Sequence, residues 1–213
     1  MKINKNIFTM DSRWRDTQWY LRQGNLFRHT LNRFRWYWYP RLRYVARFPD
    51  HIDIEASSQC QLKCPMCFRH RLSISEGSMD FDLYRKLVDE AASFRIYSIK
   101  LSWRGEPLLN PRLPEMVAYA KDKGIREVAF LTNGERMTAD LAQKLIDAGT
   151  DWITFSFDGL GSKYEEIRAP AKFDEAVERI RTMRQLRDKS KRTKPLIKVQ
   201  TIWSAIQDNP GKY

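Results

Sequence analysis

From His51 onward the chain alternates short apolar runs with stretches of helical periodicity, a pattern that commits it to repeated βα units about a parallel sheet. The expected strands are His51 to Ser57, Ser98 to Trp103, Glu127 to Thr132, Trp152 to Phe157 and Leu196 to Trp203. Four helices are legible between them. The first follows Asp80 as N-cap, with Leu83, Tyr84, Leu87, Val88 and Ala91 on one face. A second follows Pro114, turns Met116, Val117 and Ala120 inward and stops at Gly124. Thr138 caps a third, which directs Leu141, Leu145 and Ala148 to the sheet, and the fourth runs from about Phe173 through Ala176, Val177, Ile180 and Met183 to Leu186. After the fifth strand, Asn209 to Tyr213 leave no room for another crossover. Five parallel strands cannot close in the eight-stranded manner, so the sheet is expected to be open or part of a barrel.

The first 50 residues differ in character from the rest. They hold eleven of the cations that give the 213-residue chain its net charge of +12, namely Lys2, Lys5, Arg13, Arg15, Arg22, Arg28, Arg33, Arg35, Arg41, Arg43 and Arg47, against Asp11, Asp16 and Asp50. Phe27, Leu31, Phe34 and Trp38 recur at helical spacing, so residues 1–50 read as a basic, aromatic arm with an amphipathic helix ending near Pro40, ahead of a core at 51–213. The plainest expectation is that this helix buries its aromatic stripe across the core. Peripheral contact with an anionic membrane is the second reading, ahead of RNA, and no nucleic-acid partner is expected. The sequence has no apolar signal region and no run of about 18 apolar residues, which leads to an expected cytoplasmic, reducing location where thiols stay available as ligands.

Only three cysteines are present, Cys60, Cys64 and Cys67, in the spacing CxxxCxxC where the first expected strand runs out. An odd number of thiols cannot all enter intramolecular disulfides, and crowding in one loop suits a metal or an iron-sulfur cluster. The other polar signals also fall at strand ends: Trp103-Arg104-Gly105-Glu106-Pro107-Leu108-Leu109, Leu131-Thr132-Asn133-Gly134 and Ser156-Phe157-Asp158-Gly159. Singly, these are ordinary turn chemistry. Their succession along one rim of a parallel sheet, together with the cysteines, is harder to obtain from turn preference. Asp53 and Glu55 alternate on the first strand and could form a catalytic carboxylate pair, although lining the strand's polar face is the simpler reading. No GxGxxG, phosphate loop, HExxH or GxSxG is present to anchor another mechanism.

On the cysteine triad and the Gly105 to Leu109 segment, residues 52–200 resemble the radical S-adenosylmethionine (radical SAM) superfamily, and more closely its SPASM branch with a C-terminal auxiliary-cluster domain. The resemblance implies an α/β fold, a partial (β/α) TIM-like barrel, and an enzyme in which Cys60, Cys64 and Cys67 bind a [4Fe-4S] cluster whose open iron takes SAM. Electron delivery then cleaves SAM to methionine and a 5′-deoxyadenosyl radical that abstracts hydrogen from substrate. By the same resemblance Gly105, Glu106 and Pro107 receive the SAM amino group, through backbone carbonyls and the Glu106 carboxylate. Ser156 touches its carboxylate or ribose, Arg168 pairs with the carboxylate, Met66 packs on adenine, and Asn133 and the weaker Gln200 lie near the ribose. Implied partners are a reducing electron donor such as flavodoxin or ferredoxin, greeted by Lys63, Arg69, His70 and Arg71 unless those are solvated, and a peptide or protein substrate. The chain departs from the pattern at Arg104 and Met66 and stops short of a sixth strand and the auxiliary domain, which favours a fragment. The rival reading makes Cys60, Cys64, Cys67 and His70 a Cys₃His zinc module beside an arm that binds RNA or membrane.

Overall fold

The computed structural model describes Leu21 and residues 26–208; the cationic positions from Lys2 to Arg22 and the terminal Asn209 to Tyr213 lie outside the described residues. The chain divides into two compact units, Met1–Phe48 and Pro49–Tyr213. In the first, helix α1 spans Leu26–Arg41 and contains Pro40 in its last turn. Within this helix Phe27 is 77% exposed and Phe34 54%, whereas the buried side chains are His29 and Asn32.

The second unit is built on one five-stranded sheet, in the order β1 (His51–Asp53), β2 (Ser98–Lys100), β3 (Glu127–Thr132), β4 (Trp152–Ser156) and β5 (Leu196–Gln200), every pair parallel. Between them run α2 (Phe81–Ser93), α3 (Leu113–Asp122), α4 (Ala139–Asp147), α5 (Ser162–Ile167) and α6 (Phe173–Lys189). Because each strand pairs with the next in sequence, all the loops that follow strands leave from one rim, as in a (β/α) barrel. The core joins Ile99, Val128, Phe130, Ile153 and Phe155 of the strands to Val88, Val117, Leu145 and Met183 of the helices, all fully or nearly fully buried.

The helix starts follow their caps. Asp80 Oδ1 accepts from Leu83 N at 2.8 Å and Thr138 Oγ1 from Leu141 N at 3.1 Å, satisfying amides that the first turn leaves unpaired. After α3 the chain reverses through Gly124 at φ 85°, a conformation that a side chain would strain. Some inward faces differ from expectation: α2 buries Tyr84, Val88 and Ala91 but leaves Leu83 and Leu87 exposed, and α4 buries Ala142, Leu145 and Ile146, with Leu141 and Ala148 half-buried. At the opposite end of the sheet, the buried Asp151 carboxylate holds Lys121 Nζ at 2.7 Å, Lys194 Nζ at 2.5 Å and Val128 N at 2.8 Å, which secures the base below the rim.

Candidate functional site

β1 ends at Asp53, four residues before its expected end, because the chain then finds partners outside the sheet. Ser57 forms an antiparallel bridge with Ser78, Ser58 N donates to Gly77 O at 2.9 Å and Met79 N to Ala56 O at 3.0 Å. These bonds close the base of the loop that carries the cysteines. Cys64 is buried and Cys60 and Cys67 are half-buried, all three as free thiols, and Cys67 N donates to Cys64 O at 3.0 Å. Cys64 packs with Leu62, Phe157 and Tyr164, and Cys60 and Cys67 lie against the same cluster. Burial pushes the Cys60 and Cys64 thiols upward; Cys67 adds to both, and Cys60 adds to Cys64. A cation in the site would reverse that preference, since a coordinating thiol is deprotonated. Arg69, expected either to greet a reductant or to be solvated, is buried: its Nε donates to Ser58 O at 2.9 Å and its Nη2 pairs with Glu76. Lys63, His70 and Arg71 are exposed.

The rim segment after β2 is clamped against this loop. A Cβ on Gly105 would come within 2.2 Å of Ser57 O and 2.7 Å of Gln59 O, so only glycine fits, and Glu106 N donates to Gln59 O at 2.7 Å. Glu106 is 2% exposed. Its Oε1 accepts from Leu108 N at 3.0 Å and Thr132 Oγ1 at 2.6 Å, and its Oε2 from Asn133 N at 2.7 Å. The carboxylate therefore already ties two strand ends together, which leaves little of its acceptor capacity for a ligand ammonium. Burial pushes its carboxyl up to about 7, against the pull of those three donors. Pro107 opens a short 3₁₀ turn and is buried, away from the cavity wall.

Asn133 Oδ1 accepts from Gln61 Nε2 at 3.1 Å, and its Nδ2 approaches Cys60 Sγ at 3.8 Å. At the end of β4, Arg168 Nε donates to Asp158 Oδ2 at 2.8 Å, its Nη2 pairs with the same oxygen, and Asp158 Oδ1 accepts from Ile202 N at 2.8 Å. Arg168 was expected to serve a ligand carboxylate; any such group shares the guanidinium with Asp158. The carboxylate pair suggested by Asp53 and Glu55 is likewise committed elsewhere. Asp53 holds Lys100 Nζ at 2.9 Å, and Glu55 binds Arg104 through N at 2.9 Å and Nη2 at 2.5 Å. Burial pushes Glu55 up, yet the bonds from Arg104 outweigh it and hold the carboxyl below its ordinary range.

A cavity of about 240 Å³ brings Cys60, Cys64 and Cys67 together with Met66, Gly105, Glu106, Asn133, Ser156 and Arg168. Pro107 and Gln200 are not on its wall; Gln200 is exposed, and its carbonyl accepts from Phe157 N at 2.7 Å. Sequence reasoning missed the walls given by Ser102, Trp103 and Thr132, and the buried Asp158 behind Arg168; for Asp158 and Thr132 the signal lay in the turn segments already noted. Among the described residues, two buried polar atoms have no hydrogen-bond partner, Gln61 Oε1 and the Tyr164 hydroxyl. Gln61 adjoins Cys60 in sequence and Tyr164 packs with Cys64 in the apolar cluster, and neither is on the cavity wall. Three thiols that share a cavity with backbone acceptors, an amide and a guanidinium form a donor set that fits a sulfur-ligated cluster. No three His, Cys, Asp or Glu side chains among the described residues gather about one metal ion.

A family model described as the radical SAM superfamily matches residues 54–204. The tungsten-containing aldehyde ferredoxin oxidoreductase cofactor-modifying protein of Pyrococcus furiosus is 35% identical over 111 residues, covering 52% of this chain and 31% of that protein. A probable GTP 3′,8-cyclase of Methanococcus maripaludis is 36% identical over 118 residues, covering 54% and 39%. This chain thus spans between 31% and 39% of the length of these curated relatives. Among solved structures, Streptococcus suis SuiB bound to S-adenosylmethionine superposes with a TM-score of 0.62 at 14% identity, covering 95% of this chain and 43% of that one, and SuiB has also been solved bound to precursor peptide SuiA. At that identity the likeness concerns the fold, a partial barrel with parallel strands. The family match replaces the zinc-module reading.

Proposed function

This chain belongs to the radical SAM superfamily, whose enzymes use a [4Fe-4S] cluster and SAM, and from that premise we propose that Cys60, Cys64 and Cys67 hold the cluster in a core that cleaves SAM reductively. The carrying observation is the shared cavity, in which the three thiols meet Gly105, Glu106, Asn133, Ser156 and Arg168. When bound, cluster and cofactor supply one-electron cleavage of the sulfonium to a 5′-deoxyadenosyl radical that takes a hydrogen atom from substrate.

The chain's own residues do the positioning. Gly105 lets the rim approach the cysteine loop, and the Glu106 carboxylate fixes the strand ends at Thr132 and Asn133, so that the ammonium is received chiefly by backbone carbonyls at 105–107. Ser156 and the solvent-shielded edge of Arg168 face a carboxylate, a charge-assisted contact. Met66, 44% exposed at the cavity, offers a soft apolar surface to adenine. The exposed Lys63, His70 and Arg71 beside the cysteines suit an acidic reductant such as flavodoxin or ferredoxin, in a cytoplasmic setting. We further propose the SPASM branch, on the resemblance of the cysteine triad and the Gly105 to Leu109 segment and despite the departure at Arg104, and a peptide or protein substrate, supported by the likeness to peptide-bound SuiB.

The test is anaerobic reconstitution of the 213-residue chain with iron and sulfide, followed by SAM and dithionite. Brown protein that releases 5′-deoxyadenosine is expected. Full reconstitution conditions that leave colourless protein and no product would overturn the reading.

A further inference from the structure

Helix α1 is amphipathic in the inverse sense. At 100° per residue, Phe27, Leu31, Phe34 and Trp38 fall within about 60° of arc, and Leu42 just past the helix end continues the row. These five are 77%, 37%, 54%, 41% and 67% exposed. The buried members of the same helix, His29 and Asn32, lie on the opposite side. The residues that follow, Tyr44 and Val45, are exposed as well, at 56% and 89%. An apolar row of this length turned outward marks a contact surface.

The charges around the row choose the partner. Between Leu26 and Phe48 the sequence holds no aspartate or glutamate, and Arg33, Arg41, Arg43 and Arg47 supply positive charge. Two lie along aromatic rings rather than away from them: Arg41 Cζ is 3.3 Å from the Tyr37 ring centroid and its Nη1 donates to Tyr37 O at 2.6 Å, while Arg33 Cζ is 5.4 Å from the Trp36 ring. A second copy meeting this face would set arginines against arginines. A bilayer with anionic headgroups instead takes the apolar row into the acyl boundary, seats Trp and Tyr at headgroup depth and pairs arginines with phosphates. At 16 residues, with Arg28, Arg33 and Arg35 in its body, α1 is too short and too charged to cross, so it lies in the interface plane.

We propose that residues 26–47 form a peripheral docking surface for anionic lipid, an assignment independent of the radical chemistry. The test is co-sedimentation of the full 213-residue chain with phosphatidylcholine vesicles that contain or lack phosphatidylglycerol, at low and high salt, with polyuridine RNA as competitor. The chain should pellet with the anionic vesicles at least about tenfold more than with neutral ones, and lose that preference at high salt. Phe34→Ser/Trp38→Ser and Arg41→Gln/Arg43→Gln should each cut partitioning about tenfold or more, while iron incorporation and the circular dichroism spectrum stay as in the parent, which separates lost docking from lost folding. Equal partitioning to both vesicle types, displacement by RNA at matched charge, or pelleting without vesicles would overturn the proposal.

Discussion

Glu106 donates its backbone N–H to the carbonyl of Gln59 at 2.7 Å, so the rim after β2 and the loop that begins at Cys60 are hydrogen-bonded as one piece. Its side chain meanwhile reaches Thr132 and Asn133 at the end of β3. One residue thereby coordinates three strand ends, and the thiol geometry depends on a contact no cysteine makes.

That contact survives only without a Cβ at position 105. Gly105→Ala would place a methyl 2.2 Å from Ser57 O and 2.6 Å from Ser58 C, backbone atoms with no rotamer to change. We expect a loss of about 1–3 kcal/mol or more in urea denaturation, and a fall in iron bound after reconstitution that exceeds the loss of folded protein. Parental stability together with full iron content would contradict the clamp.

Replacing Cys60, Cys64 or Cys67 by alanine, one at a time, removes one sulfur and little volume. Each variant should keep the parental circular dichroism spectrum. Each should also fall well short of the roughly four irons of a cube. Iron and sulfide assays check this directly, and full iron content in any one variant would exclude that cysteine as a ligand.

Much of the fold was legible because local pattern and tertiary pairing agree. β3, Glu127–Thr132, has the expected bounds, and β4 ends one residue early at Ser156. β1 and β5 fall short where distant groups capture the backbone, Ser57 by Ser78 and Ile202 N by Asp158, while β2 stops at Lys100. The cysteine spacing and the rim motifs pointed to residues of one cavity for a similar reason, being contiguous in sequence. What local reading missed was ownership. Arg69 belongs to Glu76 and Ser58, Arg168 to Asp158, and the Glu106 oxygens to Leu108, Thr132 and Asn133. Such pairings span 7 to 27 residues wherever the partner lies off the local turn, and no periodicity encodes them.

The Glu106 carboxyl also sets a pH dependence. Its folded value is raised from 4.5 to about 7 by burial, so between those values the native state binds more protons than the unfolded one. Stability contributed by the protonated form is therefore full below about pH 4.5 and lost as pH rises through about 7, an effect on the order of 3 kcal/mol. Other groups titrate in the same range, so the comparison is with Glu106→Gln, which cannot ionise. The stability difference between parent and variant should shift toward the variant from pH 5 to about 8, measured by urea midpoints. A difference independent of pH would show that the carboxyl titrates at an ordinary value.

Arg168 carries the sharpest separation of binding from folding. Truncating it alone leaves Asp158, 1% exposed, without its cation, at a cost of about 3–5 kcal/mol, so lost cofactor affinity in that variant would be ambiguous. The double variant Arg168→Leu/Asp158→Asn removes both charges and retains an acceptor for Ile202 N, which now bonds Asp158 Oδ1 at 2.8 Å. It should recover most of the stability lost by Arg168→Leu. If the guanidinium also serves the SAM carboxylate, the same variant should bind SAM about tenfold or more weakly, because a charge-assisted bond contributes ~1.5–3 kcal/mol. Calorimetric titration of reconstituted protein reads the two effects apart. Parental SAM affinity in a stable double variant would confine Arg168 to holding Asp158 and the segment after β5.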